Sequence, residues 1–357
     1  MRAGKWMMAG LGGVLSLILC AGARADVTVA EGGAILVFPK IINTAARTTL
    51  IQLTNSGNTL QHVHCFYTDA RPFNPSLPPS PLNPVLWQET DFWLWLTRQQ
   101  PTAWSVGEGR SLNPLDGIIG FDPGAIPPVV FGFTGELVCV EVDSTGSPIG
   151  VNRLVGDATL LDPTGDSSKY SAIGIQGGPL AGEDGRTLRL DNEHYNSCPQ
   201  TLIVNHFASG AQDPVVGPPD NFGACAVNCG ITTEVTLVPC QHDYENQIPG
   251  EAQVSVAIIN EFEERFSASI AVDCWSNRSL SQISGTLSAT VLGTLTAHTR
   301  LTPVPGTGGV LGIAEETHRN DAAVVSRAAW NLQTEGSFYE PGAGRTLIDE
   351  IVIPGVD

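Results

Sequence analysis

The sequence has little positive charge. Only three of its 357 residues are lysines, and 18 Lys and Arg stand against 36 Asp and Glu, a formal net charge of −18 at pH 7. A surface of this sign repels phosphate backbones and anionic lipid headgroups. We therefore expect no nucleic-acid partner, whereas the partner class is left open between an extracellular glycan and a protein. The simplest explanation of the acidic composition is that it keeps the protein soluble outside the cell.

Long apolar runs are absent after the N-terminal segment, so no membrane span is expected in the mature chain, because a spanning helix needs about 20 apolar residues. The first 25 residues combine basic Arg2 and Lys5, an apolar run over 7–20 and the small-x-small sequence Ala23-Arg24-Ala25. This pattern predicts a signal peptide over 1–25 that is removed before Asp26. We expect a periplasmic or secreted protein.

Enzyme signatures are also missing. The chain contains no G-x-S-x-G elbow, no H-E-x-x-H and no phosphate-binding glycine loop. A carboxylate pair for glycoside cleavage has no spacing signature, so that chemistry stays open. We expect a structural or binding protein with no identified catalytic residue.

The sequence is rich in turn-forming residues and in segments where apolar and polar residues alternate. The 39 glycines and 25 prolines favour turns over long helices. Alternating runs rich in Val, Ile and Thr, such as 49–54, 136–142 and 253–258, are typical of antiparallel strands with one buried face. The sequence predicts an all-β fold of immunoglobulin-like β-sandwiches.

The two halves show an internal similarity that predicts two tandem, related modules, 27–182 and 200–357. The segment 183–199 is then a linker, and 72–84 is a proline-rich insertion in the first module. The matched pairs are 35–39 with 235–239, 49–55 with 254–260, 61–66 with 269–275, 133–137 with 293–297, 153–156 with 309–312, and 171–176 with 327–333.

The segments VFPKIINTAARTTLIQLTNSGN (37–58), EFEERFSASIAVDCW (261–275) and GVLGIAEETH (309–318) carry a further resemblance. Together they resemble a largely uncharacterised family of exported bacterial proteins. The resemblance spans most of the mature chain and implies export and a duplicated β-fold. It implies no activity and no catalytic residue.

Seven cysteines follow the predicted signal peptide, and exported thiols usually form disulfides. Each bond should stabilise its module by about 2–4 kcal/mol. We expect one free thiol and three bonds: Cys65 with Cys139, Cys240 with Cys274, and Cys198 with either Cys225 or Cys229.

Metal binding is the alternative role for some of these side chains, although we expect no cofactor. Cys225 and Cys229 have ligand-like spacing near Cys198, and His62 and His64 share one strand face, so zinc or copper could bind either set. Two acidic loops could bind calcium, and the alternative explanation of their carboxylates is that they lie in solvated turns. They contain Glu183, Asp184, Asp191 and Glu193, or Asp157, Asp162 and Asp166.

Tryptophans gather between residues 87 and 104, as Trp87, Trp93, Trp95 and Trp104. Exposed indoles on one strand face can stack on sugar rings, which would make the chain a carbohydrate-binding protein. Indoles are also common in sandwich cores. Phe92 and Leu94 alternate with Trp93 and Trp95, so only one of the two pairs can enter the same core layer.

Overall fold

The structure, a computed structural model, describes residues 27, 31–74, 77, 82–115, 120–211, 230–320 and 323–355. The predicted signal peptide, Cys225 and Cys229 lie outside these residues. The chain is all-β, as expected, and its α-helices in the described ranges are the single turns α1 (Leu280–Ile283) and α2 (Ala289–Leu292). No helix in these ranges is long and apolar enough to cross a membrane.

The first module is a β-sandwich of nine strands. The nine strands are hydrogen-bonded in the order β4-β3-β6-β1-β2-β7-β8, with β9 beside β1 and β5 beside β2. Strands β1 and β2 pair only where Asn43 meets Thr48, and there the sheet passes from one layer, β4-β3-β6-β1-β9, to the other, β5-β2-β7-β8. The inner faces meet in a core that includes Phe38, Leu53 and Leu94. The strands are β1 (Ile35–Asn43), β2 (Thr48–Asn55), β3 (Gln61–Asp69), β4 (Gln88–Leu96), β5 (Pro101–Ser105), β6 (Phe133–Val142), β7 (Leu154–Leu161), β8 (Ser167–Ser171) and β9 (Ile173–Ile175).

The second module repeats this arrangement around a core that includes Val254, Ile258 and Leu301. Its layers are β15-β14-β17-β11-β20 and β16-β12-β18-β19. The strands are β11 (Pro199–Phe207), β12 (Gly230–Pro239), β14 (Glu251–Asn260), β15 (Arg265–Asp273), β16 (Ser276–Ser279), β17 (Thr296–Pro303), β18 (Val310–Asn320), β19 (Ala323–Asn331) and β20 (Gln333–Ser337).

The two modules share one strand order. Strands β1 to β9 correspond in turn to β11, β12 and β14 to β20, and every neighbour in one pair of layers has its counterpart in the other. The later sequence matches, which join β6 with β17 and β7 with β18, agree with this order. The three earlier matches are wrong by one strand, because they join β1, β2 and β3 with β12, β14 and β15. Neighbouring short alternating strands look alike in sequence, so similarity alone did not reveal the shift.

A small sheet and a shared core join the modules. Strands β10 (Thr187–Leu190), β21 (Asp349–Val352) and β13 (His242–Asp243) form this sheet in that order. The segment expected to be a linker therefore contains a strand, and its Leu188 and Leu190 are fully buried. They belong to an apolar cluster that also holds Val138 of the first module and Leu311 of the second. We call this region the joint.

Two disulfides lie among the described cysteines. Cys65 on β3 bonds to Cys139, which is directly opposite on β6, as expected. The expected bond between Cys240 and Cys274 is wrong, because Cys240 bonds to Cys198. The chain before β11 returns to the end of β12 and brings Cys198 there. The Cys274 N–H instead donates to the Gly250 carbonyl, and its thiol is free and buried.

Candidate functional site

A cleft of about 550 Å³ separates the two modules next to the joint. We call it the inter-module cleft. It combines an indole, a carboxylate, an amide and a guanidinium group. Its lining residues are Ala70, Pro72, Val85 and Thr134 of the first module, with Ala271, Asp273, Trp275, Ser276, Asn277, Arg278 and Gln282 of the second.

The second-module wall consists of the end of β15, the turn that follows it, β16 and α1. Cys274 adopts φ 57° there, a left-handed conformation that is uncommon for a residue with a side chain. This turn directs Trp275 toward the first module, where its indole Nε1 donates to the Pro39 carbonyl at 2.8 Å. The wall is therefore attached to strand β1 on the opposite side of the boundary.

Glu136 is a buried residue of β6 near the cleft, although it is not one of the lining residues. It is two residues from the lining Thr134 along β6, so the two side chains share one face of the strand. Glu136 is 0% exposed, and neither of its carboxylate oxygens has a hydrogen-bond partner. Nε2 of His242 lies 3.2 Å from Oε1 of Glu136. Since buried polar groups are almost always paired, this arrangement marks Glu136 as a group with a role beyond packing.

Burial controls the protonation of this pair. It raises the pKa of Glu136 well above its usual value, and it lowers the pKa of His242 to about 3. Both groups are consequently uncharged near neutral pH, with the proton on the carboxyl group. The pair can hold a proton at a fixed position in a site from which water is excluded.

Aromatic rings surround the pair. Trp87 stacks on His242 with 5.3 Å between ring centroids, and Tyr244 stacks on Phe66 at 4.4 Å. Burial, followed by the charges of Asp91 and Asp243, raises the pKa of Glu89 to about 8. Sequence reasoning missed Glu136, although one signal was available. Glu136 precedes the apolar run 137–140, which is typical of a strand that is buried on both faces.

The four tryptophans do not form one platform. Trp104 is buried in the first core and donates from Nε1 to the Tyr67 hydroxyl, while Trp87 lies in the joint. Trp93 and Trp95 lie on the other face of β4 from Phe92 and Leu94, which occupy the first core. On that face Trp93 is half-buried and packs against the apolar cluster of the joint. Trp93 stacks on His64 at 3.9 Å, and Trp95 is 40% exposed.

The candidate histidine ligands do not converge. His62 and His64 share one strand face, but His64 is buried and its Nε2 lies 2.8 Å from Oδ2 of Asp91. Within the described part of the chain, the one group of three potential ligand atoms in close range is Cys198, Cys240 and Asp349. The two sulfurs of this group are joined in the disulfide, so they are not thiolate ligands.

The acidic loops use their carboxylates for local contacts. Asp162 accepts hydrogen bonds from Thr164 and Arg327. Asp191 accepts the His194 N–H and contacts the His194 ring. These contacts are typical of structured turns and do not bring three carboxylates together.

The fold and the cleft together describe the class of protein. It is an all-β protein of two joined sandwiches that contains disulfide bonds and has a polar cleft between the sandwiches. No protein-family model matches the chain, and no curated protein matches it in sequence.

Proposed function

We propose that this chain is an exported, duplicated β-sandwich protein that binds a ligand in the inter-module cleft. The pattern of residues 1–25 and the two disulfides, which are typical of oxidising compartments, support export. The shared strand order supports descent of both modules from one ancestral module.

The observation that carries the binding role is the cleft itself, whose polar lining comes from both modules. The nearby Glu136 carboxyl group supports this role, because it is buried beside His242 without a hydrogen bond, an arrangement that is costly for folding and typical of functional sites. The joint fixes the distance between the cleft walls, because its apolar cluster contains residues of both modules. A site with preset walls binds without a large ordering cost.

The ligand class that the lining favours is a saccharide. The indole of Trp275 offers an apolar face for a sugar ring, and the exposed side chains of Asp273 and Arg278 offer hydrogen bonds to hydroxyl groups. The mixture of one carboxylate and one guanidinium group favours an uncharged polar ligand over a strongly charged one.

The test is isothermal titration of the full exported chain with a panel of oligosaccharides. We expect binding by at least one glycan, and loss of that binding in Asp273→Ala and Arg278→Ala. Glu108→Ala, an exposed acidic position in the turn after β5 that does not line the cleft, is the matched control and should bind normally. Unchanged binding in both cleft variants, or no binding by any glycan, contradicts the proposal.

A second candidate surface is the outer face of β4, which is favoured by the 40% exposure of Trp95. Its ring lies 6.3 Å from that of His62, so the two rings form an open aromatic edge. Trp95→Ala in the same titration separates the two surfaces, because it should abolish binding at β4 and leave binding in the cleft intact.

A further inference from the structure

Lys40 is almost fully buried at the boundary between the modules, with 1% of its surface exposed. The register of β1 with β6 shifts between Phe38 and Ile41, so Pro39 and Lys40 form a bulge. The Tyr170 hydroxyl accepts the Lys40 N–H at 3.1 Å and donates to the Lys40 carbonyl at 2.7 Å. A bulge commonly redirects a side chain, and this one directs the Lys40 amine into the second module.

Three neighbouring strands of the second module receive that amine. Asn277 on β16 lies opposite Thr236 on β12, and Glu315 on β18 lies opposite Glu234 on β12. These side chains present a polar face to Lys40. Nζ of Lys40 lies 3.2 Å from Oδ1 of Asn277, 3.2 Å from Oε2 of Glu234 and 2.9 Å from Oε2 of Glu315.

Glu315 has a second cation of its own. Nη1 of Arg47 donates to Oε2 of Glu315 at 2.8 Å, and Nη2 donates to Oε1. Burial alone would raise the pKa of Glu315, but hydrogen bonds from Arg47 and the charge of Lys40 lower it to about 2. Arg47 thus pairs with Glu315 independently of Lys40, so Glu315 keeps a cation of its own if the Lys40 side chain becomes part of an amide.

The Asn277 carboxamide makes two further contacts besides the one to Lys40. Oγ1 of Thr236 donates to Oδ1 of Asn277 at 2.8 Å, which polarises the carbonyl and would stabilise negative charge on its oxygen. Nδ2 of Asn277 lies 3.4 Å from Oε2 of Glu234. The same carboxylate oxygen therefore contacts the nitrogen that must lose protons and the nitrogen that must gain one.

From this geometry we propose that Lys40 and Asn277 join in an intramolecular amide bond. Glu234 takes one proton from the Lys40 ammonium group, and the free amine attacks Cγ of Asn277. Glu234 relays the second amine proton to Nδ2, the bond between Cγ and Nδ2 breaks, and ammonia leaves. The remaining proton departs with the ammonia, so an ammonium group and a carboxamide become a secondary amide and an ammonium ion.

The bond would connect residues 237 positions apart and would cross the boundary between the modules. Unlike the two disulfides, it would persist under reducing conditions. Glu234 is 38% exposed, which gives the released ammonia a path to solvent.

The decisive measurement is mass spectrometry of the purified, reduced wild-type chain. We expect a mass lower than the sequence mass by one ammonia, and a branched tryptic peptide that contains both Lys40 and Asn277. Amine-reactive labelling of the denatured chain should modify Lys169 and leave Lys40 unmodified. The full sequence mass with a labelled Lys40 overturns the proposal.

Two variants identify the chemistry. Asn277→Ala and Glu234→Gln should each restore the full mass and make Lys40 available for labelling after denaturation. Lys169→Arg is the control and should retain the loss of ammonia. Loss of ammonia without a branched peptide would indicate a succinimide elsewhere and would also overturn the proposal. Because the wild-type measurement needs no variant, a folding defect in either variant leaves the test intact.

Discussion

Nε2 of His242 lies 3.2 Å from Oε1 of Glu136, and the two side chains come from different modules. Burial favours the uncharged form of both side chains. The folded state is therefore destabilised by Glu136 at high pH and by His242 at low pH. Docking of the modules is thereby linked to proton binding at one contact.

The first prediction concerns the carboxyl group. The pKa of Glu136 is raised on folding, so its cost to stability is absent below pH 4.5 and grows as the pH rises toward the folded-state pKa. Glu136→Gln cannot ionise and should be more stable than the wild type at pH 8. Urea denaturation at pH 4 and pH 8 measures the difference, which should vanish at pH 4. Exposed Glu251→Gln is the control, and an equal gain at both pH values would contradict the linkage.

The second prediction concerns the imidazole. The pKa of His242 falls to about 3 on folding, so stability is lost as the pH decreases from about 6.5 toward 3, where only the unfolded chain binds the proton. At pH 5 this cost is about 2 kcal/mol in the wild type. His242→Asn should remove this part of the pH dependence, as thermal unfolding between pH 4 and pH 7 would show, and should leave the part due to buried His206, whose pKa falls to about 4. His62→Asn, at a half-buried position in the first module, should leave the whole pH dependence in place.

The third prediction concerns the cysteines. A non-reducing peptide map should contain Cys65 linked to Cys139 and Cys198 linked to Cys240. Replacing both Cys198 and Cys240 by Ser should lower the free energy of unfolding by about 2–4 kcal/mol. Cys274→Ala is the comparison, since it should retain both bonds. A peptide that links Cys240 to Cys274 would contradict the structure.

The fourth prediction concerns the bulge in β1. Tyr170→Phe leaves the N–H and the carbonyl of Lys40 without their partner, at a cost of about 1–3 kcal/mol for each buried group. Tyr195→Phe is a matched control, because the Tyr195 hydroxyl is buried and has no hydrogen-bond partner. Chemical denaturation should show a large loss for the first variant and none for the second. If the two variants lose the same free energy of unfolding, the hydrogen bonds of the Tyr170 hydroxyl to Lys40 make no specific contribution to stability, which would contradict this prediction.

Local patterning was enough to predict the strands. The alternation in 253–258 places Val254 and Val256 in the core of the second module, as a period of two requires. It was also enough to pair Cys65 with Cys139. It could not align the modules correctly, because the insertions differ in place: 106–132 separates β5 from β6 in the first module, and 208–229 separates β11 from β12 in the second.

The candidate site depended on contacts that no local pattern contains. Glu136 and His242 are 106 positions apart in sequence, and Lys40 and Asn277 are 237 apart. Each side chain has an ordinary local explanation, a polar residue within a strand. Only the docking of one sandwich on the other places them together.

The position of β21 in the chain has a consequence for the order of assembly. The small sheet needs Thr187–Leu190 and Asp349–Val352 at once, and β21 is its central strand. During synthesis or translocation from the N-terminus, each sandwich can close as it emerges. The joint has to wait for a strand that arrives about 160 residues after its first partner, roughly 8–30 s at usual rates of synthesis. Until then the two modules are connected only by the polypeptide chain, and the apolar surfaces that form the joint remain exposed to chaperones.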